Sequence, residues 1–147
     1  MRFPIRNVSA ALLLACSLVI GANAKVAGEE PSLAEQGRAA LARHAWGEAH
    51  EKLTEADAQG DLSPGELDAY AEAAWWNGRL EQAIELRERA YAAATRADHS
   101  DVAAMVAIKL ARDNIYRSSD TLSGAWLRRA ERLLDGVAES GSHGWLG

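Results

Sequence analysis

The residues with the most chemical potential are four histidines, His44, His50, His99 and His143, since imidazole serves both as a metal ligand and as a base near neutral pH. Their spacing speaks against both roles. His44 and His50 are six residues apart, which is neither i,i+3 nor i,i+4, and no H-E-x-x-H occurs. All four read as residues of helix ends and turns, so no metal site is expected. No G-x-x-x-x-G-K-[ST] or G-x-G-x-x-G is present to cradle phosphate, and no G-x-S-x-G to present a nucleophilic serine. Carboxylates are plentiful, as at Glu81, Glu85 and Glu88, but they interleave with Arg87 and Arg89 at helical spacing, and Glu85 and Arg89 form an i,i+4 pair. That pattern reads as a solvated helix face. The chain is therefore expected to be no enzyme and to carry no cofactor.

Charge narrows the partners. The 147 residues hold 16 Lys+Arg and 21 Asp+Glu, a net charge of −5 that gives no general attraction to nucleic acid. Arg128, Arg129 and Arg132 could be taken for a basic patch, but Glu131 stands among them. Alanine supplies 31 residues, whereas bulky aromatics are few: five Trp, three Tyr and one Phe. Alanine is the best helix former and is depleted in strands, so the composition predicts an all-α protein.

Residues 1–24 differ from the rest. Arg2 and Arg6 precede an uncharged run, VSAALLLACSLVI, from Val8 to Ile20; Gly21 breaks it, and Ala22-Asn23-Ala24 places small residues at the positions signal peptidase reads. A secretory signal peptide cleaved after Ala24 is expected. The run is shorter than the ~20 residues a membrane span needs. Cys16, the only cysteine, lies within it, and Leu13-Leu14-Ala15-Cys16 faintly resembles a lipobox, a second processing route. Cleavage after Ala24 leaves a cysteine-free chain. Export to the periplasm or the exterior follows from this leader; a misassigned start would leave the protein in the cytoplasm.

A polar linker covers 25–32. Beyond it the chain resembles itself at a shift of 34: Ala40 aligns with Ala74, Trp46 with Leu80, Ala49 with Ala83 and Ala56 with Ala90. The pairs Ala49/Ala56 and Ala83/Ala90 are seven residues apart, two helical turns, so each pair shares a face where helices can cross closely. A third copy puts Ser123 and Ala130 at the same positions if its connection is about six residues longer. Helices are expected at 32–43, 46–58, 64–76, 79–96, 101–116 and from about 120. Ser63-Pro64-Gly65-Glu66 is a capping box with proline at the first helical position, and Asn77-Gly78 is a left-handed stop. VAAMVAIKLA in the fifth helix is apolar nearly all round and should be the most buried. A 34-residue helix–turn–helix period is that of the tetratricopeptide repeat, so the expected fold is about three antiparallel hairpins in a short α-solenoid over 33–138. The tail, 139–147, ends on Trp145-Leu146-Gly147 and reads either as folding back on the last helix or as the truncated start of another repeat. An uncapped end of that kind suggests homo-oligomerisation.

The stretches AAWWNGRLEQAIELRERAYAA and GAWLRRAERLL, followed by SHGWL, resemble the tetratricopeptide-type segment of bacterial LuxR-family transcriptional regulators and of class III adenylate/guanylate cyclases. The resemblance covers roughly 33–146. It implies a sensory or partner-binding region whose chemistry or DNA binding resides in another domain. The chain departs from these proteins in its export signal and in having no room for an output domain. In this repeat class the first helix of each hairpin lines a groove that takes peptides or partner helices. Carrying the register over, the groove positions are Arg38, Asp68, Glu72, Trp76 and Arg112. Trp75 and Trp76 point about 100° apart, so one can pack inward while the other reaches the groove as an anchor; both filling gaps beside alanine is the competing arrangement. Two functions follow: a non-catalytic partner- or peptide-binding module, or a regulatory fragment of a LuxR-type regulator or cyclase. The leader makes the first prediction. Intact mass after fractionation in the native host should match Lys25–Gly147 outside the cytoplasm; a cytosolic Met1 species would sink the export assignment.

Overall fold

The structure, a computed structural model, describes residues 30–135 apart from Asp61, together with Gly144. The leader with Cys16, Ala22 and Ala24, and the tail with His143 and Trp145, lie outside the described residues. Contacts separate Met1–Glu30 from a compact unit, Pro31–Gly147, and the helices belong to the latter. They are α1 (Leu33–Ala42), α2 (Trp46–Gln59), α3 (Pro64–Trp76), α4 (Leu80–Arg96), α5 (Ser100–Tyr116) and α6 (Asp120–Leu134). No strand occurs among the described residues, so the fold is all-α. No described helix is long and apolar enough to cross a membrane.

Local chemistry sets the boundaries. Ser32 and Ser63 each cap a helix through a reciprocal box with Glu35 and Glu66, and Pro64 occupies the first turn of α3. The Ser63 hydroxyl and then its amide hold the Glu66 carboxyl below the ordinary value. A lowered folded-state value means the cap's contribution is complete above the unfolded value and is lost as falling pH passes through the folded one.

Four of the five connections are the same three-residue turn. In each, the third residue's amide donates to a carbonyl five residues back: Ala45 to Ala40, Arg79 to Ala74, His99 to Ala94 and Ser119 to Asn114, at 2.8 to 3.0 Å. The middle residue's amide donates three residues back and has a left-handed backbone, with φ of 62° at His44, 73° at Gly78, 57° at Asp98 and 59° at Ser118. This is the Schellman arrangement, which satisfies the last carbonyls of the preceding helix. Only one of the four uses glycine. The other three carry the strain that a Cβ brings to this region.

Each helix packs on its neighbour in sequence, and α1, α3 and α5 also touch in succession. The helices approach closely because the contact positions are small. Ala49, Ala56, Ala83, Ala90, Ser123 and Ala130 are all buried. Gly37 in α1 extends this rule: a Cβ there would stand 2.5 Å from Leu53 Cγ. The larger core residues are Leu53, Leu67, Tyr70, Ile84, Leu86, Val106 and Leu110. As its composition predicts, α5 buries more residues than any other helix.

One expectation is corrected. The third hairpin does not follow a longer connection, because α4 and α5 are joined by the three residues 97–99. The additional residues lengthen the helices instead: α4 has 17 residues against 14 in α2, and α5 has 17 against 13 in α3. The Schellman turn favours this outcome because it reverses the chain in three residues and lets α4 pack directly on α5. Relief of the strain at its middle position is testable. Ser118→Gly should stabilise the protein by about 0.5–1 kcal/mol and Gly78→Ala destabilise it by about 1–2 kcal/mol. Thermal melts that place Gly78→Ala level with the parent would remove the strain argument.

Candidate functional site: a buried arginine beside an exposed aromatic edge

Arg87 points from α4 into the centre of the unit and is fully buried. At the repeat shifts of 34 and 40 its counterparts are Leu53 and Leu127, so a guanidinium stands where the flanking hairpins place leucine. A buried charge persists only when paired and hydrogen-bonded. Three carboxylates do this. Nε donates to Asp68 Oδ1 at 3.3 Å and Nη2 to Glu72 Oε2 at 2.5 Å, both on α3, while Nη1 donates to Asp113 Oδ2 on α5. The remaining carboxylate oxygens are also engaged. Asp68 Oδ2 accepts from Lys109 Nζ at 2.6 Å, Asp113 Oδ1 accepts from Arg112 Nε and Nη2 at 3.2 Å, and Glu72 Oε1 accepts from Trp76 Nε1 at 3.0 Å. The cluster thus balances Arg87, Lys109 and Arg112 against Asp68, Glu72 and Asp113. No buried side-chain polar atom among the described residues lacks a partner.

Helical spacing assembles this network. Asp68 and Glu72 are i,i+4 on α3 and both reach Arg87 on α4, while Lys109 and Asp113, i,i+4 on α5, reach Asp68 and Arg87 respectively. Lys109, Glu72 and Arg112 lead outward to solvent; Arg112 is 40% exposed.

An aromatic series adjoins the cluster. His44 stacks on Trp46 at 4.9 Å and Trp46 on Trp76 at 5.1 Å, nearly parallel. Trp75 meets Trp76 at 4.9 Å and Tyr116 at 5.6 Å, nearly perpendicular to both. The Arg112 guanidinium lies 5.0 Å from the Trp75 ring centre, a cation–π distance. Trp76 is 51% exposed and Tyr116 62%. The other large apolar side chains exposed among the described residues, Ile115 and Leu122, stand near the same end, where α3 and α5 finish and α6 begins.

Of the residues the sequence singles out, Asp68, Glu72 and Arg112 fall in one network, and Trp76 joins it through Glu72. Trp76 fills no interior gap. Arg38 is exposed on α1, where its charge helps hold down the Glu66 carboxyl, and it makes no bond to the cluster. The solvated face expected for α4 is corrected: Arg87 is buried because Asp68, Glu72 and Asp113 converge on it from two other helices. Arg89 does reach the surface, with a two-pronged bond to Asp57 at 2.7 and 2.8 Å that holds the Asp57 carboxyl below its usual value. His50 is also corrected. It lies inside α2, half-buried, with Nε2 2.9 Å from Gln82 Oε1 and its ring edge on Tyr70, whereas His44 and His99 do occupy turns. On α6 the Arg129 guanidinium lies 4.6 Å from the Trp126 ring centre. Among the described residues no group of three His, Cys, Asp or Glu could hold a metal.

Arg87, Asp113, Lys109, Trp46 and Tyr116 escape the sequence reading. The signal for Arg87 is its place in a leucine column, and for Asp113 its place in an alanine column, since the first two hairpins carry Ala39 and Ala73 there.

Compared with protein-family models, with curated proteins and with solved structures, the chain finds no match. Fold and cluster together define an all-α protein of helical hairpins built around a charge-neutral ion network.

The network makes a two-part prediction. Arg87→Leu restores the residue of the flanking hairpins but leaves the buried Asp113 with Arg112 as its one remaining ionic partner, and should cost about 3–5 kcal/mol in urea unfolding. Adding Asp113→Ala should return most of that loss. A double variant no more stable than Arg87→Leu alone would show that stranded charge is not the source of the cost.

Proposed function

We propose that the chain is a non-catalytic, tetratricopeptide-type module that binds a partner protein or peptide, and that it acts outside the cytoplasm once its leader is removed. The alternating hairpins support this reading, as do the small residues at the helix crossings and the succession of contacts among α1, α3 and α5. This succession is what a solenoid with its first helices on one side requires. The observation that carries the proposal is the state of Trp76. Half its surface meets solvent, yet stacking on Trp46 and the bond to Glu72 fix its ring. A rigid exposed tryptophan offers contact area at little entropic cost, which is the character of a binding hot spot. Around it stand Glu72, Trp75 and Arg112, so apolar surface and polar groups alternate over a short span.

Trp76→Ala should leave the far-UV circular dichroism nearly unchanged and weaken partner capture at least tenfold. Glu88→Ala, an exposed change elsewhere on α4, serves as the control. Loss of helicity in Trp76→Ala would make the ring a structural element and withdraw the proposal, as would equal capture by both variants.

A further inference from the structure

We infer that the aromatic edge formed by Trp46, Trp76 and Tyr116 is a docking site for a proline-rich segment in the polyproline II conformation. This inference rests on the binding-module reading and names its ligand class. Peptides dock on folded proteins mainly by adding a strand, by laying a helix in an apolar groove, or by presenting a polyproline helix to aromatic rings.

Strand addition needs free backbone groups in a row. At this edge the amides of His44, Ala45, Gly78, Arg79, Ser118 and Ser119 all donate to carbonyls at the end of the preceding helix. A partner helix needs an apolar trough, and the space between α3 and α5 is occupied by Asp68, Glu72, Lys109 and Arg112. The third mode fits. Trp46 and Trp76 are stacked, and Tyr116 is held against Trp75, so the rings are already ordered before a ligand arrives.

Distance and charge point the same way. A polyproline helix returns to the same face every three residues, about 9 Å. Helices in side-by-side contact are about 8–10 Å apart, and α3 and α5, which carry Trp76 and Tyr116, are in contact. Both rings touch Trp75, so their centres stand no further apart than the sum of 4.9 and 5.6 Å. The 9 Å repeat falls within that limit, so prolines at i and i+3 of one helix can reach Trp76 and Tyr116 together. Each carboxylate oxygen of the cluster is engaged and its charges balance three against three, which favours an uncharged ligand over an acidic or basic one. Finally, the Tyr116 hydroxyl makes no hydrogen bond among the described residues. It is free to donate to a carbonyl of a helix that satisfies none of its own.

The test is a selection from a random dodecapeptide library on the full chain, run in parallel on Trp76→Ala and Tyr116→Ala. Parent selections should be enriched in clones with proline at i and i+3, and this enrichment should vanish on both variants. Decaproline should then shift the tryptophan emission of the parent saturably and bind Tyr116→Ala at least tenfold more weakly. Trp76-dependent selection of proline-free sequences would overturn this inference and leave the binding-module reading standing. Equal selection on parent and variants, or no selection at all, would overturn both. Circular dichroism of Tyr116→Ala, whose ring is largely exposed, guards against loss of fold as the cause.

Discussion

The structure depends on one constraint: a guanidinium in the interior of an alanine-rich unit must find its counter-charges. Arg87 has no solvent to fall back on, so α3 and α5 must stand where Asp68, Glu72 and Asp113 can reach its donors. Packing between alanine faces is tolerant of sliding, because small side chains offer shallow ridges. A buried, directional ion network is not tolerant. It fixes the register of three helices at once, and a shift of one residue on α3 would turn Asp68 and Glu72 away from α4. A hydrophobic replacement of similar volume could equal its stability. What the network adds is a unique arrangement.

The turns impose a second constraint. Four short Schellman connections leave almost no slack between consecutive helices, so helix length decides which residues meet. The lengthening of α4 and α5 by whole segments, rather than of the loop between them, shows this. It carries Tyr116 to the same end of the unit as Trp76 and keeps Lys109, Arg112 and Asp113 beside Arg87.

Much of the fold was legible because its signals are local. Ser32 and Ser63 announce caps through the glutamate three residues later, Gly78 announces a left-handed stop, and alanines seven apart announce a crossing. The turns at His44, Asp98 and Ser118 adopt the geometry of Gly78 without its residue type, so their boundaries had to be read from the end of the apolar pattern. The site was legible in part. Asp68, Glu72, Trp76 and Arg112 follow from repeat register alone, since register assigns a face. Arg87 was misread for a physical reason: within its own helix it is one arginine among alternating charges, Glu85, Glu88 and Arg89. Its burial is decided by carboxylates 15 to 26 residues away. Local patterning has no access to that term. Only the comparison with Leu53 and Leu127 in the flanking hairpins exposes the anomaly.

The same residues join the interior to the surface. Glu72 divides its two oxygens between Arg87 and the Trp76 indole, and Arg112 divides itself between Asp113 and the face of Trp75. The orientation of the Trp76 ring is thus set by a carboxylate that the buried arginine holds in place, and Trp75 is faced by a guanidinium that Asp113 holds. In such a network each hydrogen bond polarises and positions the next. An aromatic edge built on independent rotamers would pay for ordering each ring when a ligand arrived. Here that ordering is completed on folding, by the interaction that places α3, α4 and α5. The choice of arginine over leucine at position 87 therefore has a consequence at the surface: it prepares Trp76, Trp75 and their neighbours as a rigid face.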